Sequence, residues 1–138
     1  MARRDLLHDA CKNALIKAGW TITHDPYTLR RGRQTLYVDL AAEQALAAEK
    51  DGRKIAVEIK SLLGTVEMPE LERALGQYVL YRSLLSRYDP ERTLFLAITD
   101  AAYAEHFDTA EGRDLIADET LKLIVFQAVQ EEIEQWIE

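Results

Sequence analysis

The chain has 138 residues, 48% of them hydrophobic, which is enough for one folded domain with a real core and too apolar for a disordered segment. Its net charge of −7 argues against tight non-specific binding to nucleic acid, and the charge is uneven: residues 1–69 carry a balance of +2 and residues 70–138 one of −9. No apolar run approaches a bilayer span, the N-terminus lacks the pattern of a signal peptide, and the lone Cys11 can form neither an internal disulfide nor a paired-cysteine zinc site, so a cytoplasmic setting with no membrane association is expected.

Residues 4–18 read as a helix, with Leu7, Cys11, Ala14, Leu15 and Ala18 as its apolar stripe and Gly19 as its stop. A short strand at 20–23 ends at the turn-prone His24-Asp25-Pro26. Residues 28–34 read as a basic loop around Gly32, and Arg30, Arg31 and Arg33 there are candidates for phosphate contact. Residues 35–40 read as one strand. Asp51-Gly52 suggests a tight hairpin joining a strand at 45–50 to one at 53–60, with Lys50 opposite Arg53, Ala48 opposite Ile55 and Ala45 opposite Glu58. Residues 69–87 form a long amphipathic helix that starts at Pro69. A buried strand at 93–99, short helices at 100–107 and 110–118, and a strand at 121–127 follow. The tail at 131–138 suits either a helix face or an edge strand. The absence of repeats and Pro/Gly-rich linkers points to a single domain over 1–138. The element order gives an α/β fold with a mixed central sheet flanked by helices.

The chemistry concentrates in strand 53–60. Side chains alternate along a strand, so Ile55, Val57 and Ile59 share one face while Ala56, Glu58 and Lys60 share the other. A carboxylate can hold a hard divalent cation, and a lysine beside it can orient a water or stabilise developing negative charge. A metal site needs a second acid. Asp39 is the first candidate and Glu43 its substitute. An acid, a gap and then Glu-x-Lys on a hydrophobic strand followed by a helix resembles the PD-(D/E)XK nuclease signature. Gln77 and Tyr81, four residues apart on one helix face, resemble the Gln-x-x-x-Tyr motif of its RecB-like branch. The first helix adds His8 and Asp9 as auxiliary candidates. The structural alternatives are a solvated Glu58–Lys60 pair, a strand-ending Asp39, and helix packing for Gln77 and Tyr81.

A closer resemblance covers most of the chain. The blocks HDACKNALIKAGWTITHDPYTL, LYVDLAAE, LAAEKDGRKIAVEIKS, ELERALGQYVLYR and LKLIVF…W together are similar to the XisH family of fdxN-element excision controlling factors. The resemblance implies a restriction-endonuclease-like αβββαβ core and a role in controlling excision of a DNA element. It also implies an XisI-like companion protein and a site-specific recombinase as partners, and a strand rather than a helix at 131–137. The Asp…Glu-x-Lys constellation with Gln77, and not the XisH likeness, points to DNA as substrate and to Mg²⁺ or Mn²⁺ held by Asp39 and Glu58. Lys60 would serve the attacking water and Gln77 would stand near the metal. The alternative is a regulatory module on the same fold that binds without cutting. Restriction-like folds often work in pairs, so a homodimer is compatible with either.

Overall fold

The computed structural model describes residues 3–44, 52–62 and 68–138. Helix α1 (Arg3–Lys17) is followed by β1 (Thr21–His24), the hairpin strands β2 (Tyr27–Arg31) and β3 (Gln34–Val38), then β4 (Leu40–Gln44) and β5 (Arg53–Ile59). Helix α2 (Met68–Tyr88), β6 (Arg92–Thr99), α3 (Asp100–His106), α4 (Ala110–Glu119), β7 (Leu123–Gln127) and β8 (Glu132–Ile137) complete the order. Among the described residues no helix is long and apolar enough to cross a membrane.

Six strands form one mixed sheet in the order β1-β4-β5-β6-β7-β8, and β2 and β3 form a separate two-stranded sheet. The pairs β5/β6 and β6/β7 are parallel and the others antiparallel. Parallel neighbours need crossover connections, supplied by α2 and by α3 with α4. Two hydrophobic layers cover the sheet. Leu7, Cys11, Leu15 and Trp20 pack with Ile55, Val57, Phe95 and Phe126 on the α1 face. Tyr78, Leu85 and Phe107 pack with Ala56, Leu96, Ile98 and Leu123 on the other, together with Leu36 and Val38 of the hairpin. The alternation expected in strand 53–60 thus divides Ile55 and Val57 from Ala56.

Local signals account for the element ends. Gly19, at φ 93, closes α1, with the Trp20 amide donating to the Leu15 carbonyl at 3.0 Å and the Gly19 amide to that of Ile16 at 3.0 Å. That is the paired bonding of a Schellman cap, which favours glycine because the left-handed conformation crowds a Cβ. Thr99 and Thr109 cap α3 and α4 through their side chains. Ala18, expected in the apolar stripe, is exposed beside that stop.

The structure corrects three expectations. Residues 28–34 are not a loop but most of a hairpin, Tyr27 opposite Val38 through Arg31 opposite Gln34, turning at Gly32 (φ 58). Tyr27, Leu29, Leu36 and Val38 supply its buried face, an alternation that the interleaved arginines hide in the sequence. The single strand expected at 35–40 is two strands in different sheets, parted at Asp39. The antiparallel partner of β5 is β4: Gln44 lies opposite Arg53, Ala42 opposite Ile55 and Leu40 opposite Val57. The pairing is six residues from the expected one. Leu40, Ala41 and Ala42 are wholly buried, and burial on both faces selects the partner strand more strongly than a turn dipeptide does. The strand expected at 45–50 lies outside the described residues. The tail forms a strand, β8, antiparallel to β7, where Trp136 packs 5.5 Å from Trp20 and 5.2 Å from Phe95 between ring centroids.

Candidate functional site

The β4–β5 ladder aligns the two acids. Leu40 lies opposite Val57, and one step further in the same register stand Asp39 and Glu58. Asp39 is the junction between the hairpin and the main sheet, so its side chain turns back onto β5. The Ile59 amide donates to Asp39 Oδ2 at 2.7 Å, and the Asp39 amide donates to Glu58 Oε1 at 3.3 Å. Each acid is therefore tied to the backbone or side chain of the other strand, which fixes the pair without a flexible linker. Lys60 projects from the same face of β5, its Nζ 3.6 Å from Glu58 Oε2. Gln77 and Tyr81 come from α2, and Gln77 Nε2 donates to the Tyr81 hydroxyl at 3.0 Å.

These five side chains line one cleft of about 380 Å³, whose remaining walls are Pro26, Tyr37 and Val38. Its electrostatics are unbalanced. Glu58 is only 6% exposed. Burial, then the negative charge of Asp39 and a carboxyl–carboxyl hydrogen bond with it, push the Glu58 carboxyl up from 4.5 to about 7, against the pull of Lys60. Once Glu58 ionises, two carboxylates and one lysine leave a net negative charge, which a bound cation would offset. Oxygen donors from one or two carboxylates, completed by water and phosphate, suit Mg²⁺ or Mn²⁺. Among the described residues no group of three or more His, Cys, Asp or Glu is gathered as a metal site.

The other candidates stand elsewhere. Glu43 lies opposite Lys54 on β4 and pairs with Arg92 at 3.6 Å, away from the cleft, which leaves Asp39 as the acid that meets Glu58. His8 Nε2 is 2.7 Å from Asp25 Oδ1, and Lys12 donates to Asp25 Oδ2 at 2.7 Å, so His8 ties α1 to the turn before Pro26. Burial would raise the Asp25 carboxyl, but Lys12 and His8 hold it below its ordinary value. Asp9 is exposed, and neither His8 nor Asp9 lines the cleft. Arg30 and Arg33 are exposed on the hairpin, and Arg31 is the last residue of β2.

The sequence reading missed the contribution of the hairpin. Tyr37 is 58% exposed yet lines the cleft beside Asp39. A partly buried knot holds the hairpin base in place: Tyr27 donates to Asp89, Arg92 Nε donates to Asp89 at 3.1 Å, and the Arg92 guanidinium lies 4.9 Å from the Tyr27 ring centroid. The signal for Tyr37 was the Tyr27/Leu29 and Leu36/Val38 alternation, which assigns the intervening residues to the outer face.

Comparison with known proteins adds independent information. The XisH protein family model matches residues 1–134. A crystal structure of an XisH family protein from Nostoc punctiforme is 39% identical, with 97% of this chain and 100% of that one covered and a TM-score of 0.85. A crystal structure described as an fdxN element excision controlling factor protein from Anabaena variabilis is 38% identical, over 98% of this chain and 100% of that one, also with a TM-score of 0.85. No curated protein gives a significant match.

Proposed function

This chain belongs to the XisH family, and from that premise we propose that it is a divalent-metal-dependent DNA phosphodiesterase on a restriction-endonuclease-like core, acting in or controlling excision of a DNA element. The observation that carries the proposal is the meeting of Asp39 and Glu58 across β4 and β5 with Lys60 on the same face. The name of the Anabaena relative supplies the excision context.

Asp39 and Glu58 would hold Mg²⁺ or Mn²⁺. When bound, such an ion lowers the pKa of a coordinated water and offsets negative charge on a phosphate. Asp39 is oriented by the Ile59 amide and Glu58 by the Asp39 amide, so the backbone holds the two acids side by side, and a bound cation would take the place of the proton they share. Lys60 orients the attacking water and offers its ammonium to the charge that develops on the phosphate oxygens. Gln77, with one amide hydrogen held by Tyr81, keeps its remaining amide groups for water or a phosphate oxygen. The deep seat of Glu58 strengthens each of these interactions, because charges are less screened away from water.

The direct experiment is incubation with single-stranded, duplex and branched DNA in Mg²⁺ or Mn²⁺, comparing wild type with Glu58→Ala and Lys60→Ala. Cleavage lost in both supports the mechanism; cleavage that survives both substitutions overturns it.

A second reading has its own support. The balance of −9 over residues 70–138 suits a protein-contact surface better than a DNA surface. On this reading the chain regulates excision without cutting, by binding an XisI-like protein or a site-specific recombinase. Failure of the two proteins to associate on co-expression would remove it.

A further inference from the structure

The hairpin presents an aromatic ring where the proposed chemistry needs a substrate contact. On its outer face Tyr37 lies opposite Thr28, and Arg30 lies opposite Thr35 in the next outward pair. Opposed residues share a face and diagonal neighbours are within reach of long side chains. The exposed face therefore combines an aromatic ring, a guanidinium and two threonine hydroxyls. Tyr37 also lines the cleft that holds Asp39, Glu58 and Lys60.

The other aromatic side chains near this face have structural duties. Tyr27 is buried and donates to Asp89, Tyr78 is buried and donates to the Leu94 carbonyl at 3.2 Å, and Tyr81 accepts from Gln77. Tyr37, at 58% exposed, keeps most of its side-chain surface in solvent. What sets Tyr37 apart from other exposed apolar side chains is its place on the wall of the cleft, where its π-face is open to a ligand.

From this placement we propose that Tyr37 is a base-stacking platform, and that the site takes single-stranded or locally unpaired DNA. The inference rests on the nuclease reading only for the phosphate that Asp39, Glu58 and Lys60 would receive. The ring would carry the nucleobase next to that phosphate, with Arg30 on the same face toward the backbone. Duplex DNA keeps its base faces inside the stack, where a side chain on a cleft wall cannot reach them. An unpaired strand offers a π-face at every base, and aromatic stacking is the usual means of holding it. The cleft, at about 380 Å³, has the scale of a small-ligand site and would admit an unpaired nucleotide, whereas a duplex would lie across its mouth.

The test is fluorescence anisotropy of a labelled single-stranded oligonucleotide and of the matching duplex, without divalent ions, for wild type, Tyr37→Ala, Tyr37→Ile and Tyr37→Phe. Stacking loss predicts roughly five- to hundredfold weaker single-strand binding for the Ala and Ile variants. The Phe variant should stay within about twofold, and the salt slope should not change, since no phosphate contact is removed. Tyr37→Ile keeps strand propensity, so a weakened complex with an unaltered melting temperature separates contact from folding. Wild-type preference for duplex, or single-strand binding unaffected in the Ala and Ile variants, overturns the platform. Cleavage of the same oligonucleotide with Mn²⁺ is followed in parallel. Tyr37-dependent binding without cleavage overturns the nuclease reading alone; cleavage at the wild-type rate by Tyr37→Ala overturns the platform alone.

Discussion

Replacing Glu58 with glutamine should stabilise the metal-free protein at neutral and alkaline pH and have much less effect in acid. The Glu58 carboxyl is raised from 4.5 to about 7, first by burial and then by Asp39. Between those values the native state binds a proton that the unfolded chain releases, so stability falls as pH rises through this window and the penalty is complete above pH 7. At about 1.4 kcal/mol per unit, the span corresponds to an order-of-magnitude penalty of about 3 kcal/mol. Glutamine carries no charge, and its carbonyl can still accept from the Asp39 amide, which now reaches Glu58 Oε1 at 3.3 Å. Lys60 is 29% exposed, so solvent can replace its lost partner. Urea unfolding of both proteins from pH 4.5 to 8 in a chelator reads the effect, because titrating groups remote from position 58 cancel in the difference and what remains belongs to Glu58 and the Asp39 it is coupled to. The variant-minus-wild-type stability should climb across the window by about 3 kcal/mol, equivalent to roughly 10 °C in Tm for a chain of this size. A difference that does not change with pH would refute the reasoning. Adding Mg²⁺ should stabilise the wild type by about 1.4 kcal/mol at ten times Kd, and the variant by less.

Tyr81→Phe removes the hydroxyl that accepts from Gln77, so any metal-dependent cleavage rate should fall several-fold with Tm nearly unchanged, measured by single-turnover kinetics and calorimetry. Arg92→Ala removes a buried guanidinium that joins Asp89, Glu43 and the Ile55 carbonyl, which it reaches at 2.9 Å; Asp89 and Glu43 stay open to solvent, at 25% and 43%, so a loss of about 1–3 kcal/mol is expected in urea unfolding, chiefly from the unpaired carbonyl. Gly112→Ala would place a Cβ 2.5 Å from the Phe107 backbone and should cost about 1–3 kcal/mol, read as a lower Tm with the cleft chemistry intact.

The division between local and tertiary information runs through the site itself. Glu58 and Lys60 on one face of a strand, and Gln77 one turn before Tyr81 on a helix, are legible in the chain because each relation is set by the repeat of a single element. The whole-chain likeness to XisH proteins is legible for a different reason: it is carried by long blocks of residues, and the family model and the two crystal structures bear it out. Which acid meets Glu58 was not encoded locally. Asp51-Gly52 signalled a turn, but a turn signal says nothing about how far along the chain the partner strand lies. The pairing follows from burying Leu40, Ala41 and Ala42 against β5, a non-local energy that brings Asp39 to Glu58 and leaves Glu43 with Arg92. The hairpin of β2 and β3, and with it Tyr37 on the cleft wall, likewise appears only when Leu36 and Val38 meet the core beneath α2. The sequence by itself determined which strand and helix carry the polar groups. The tertiary structure decided which groups face one another, because strand register and burial are settled between elements and not within them.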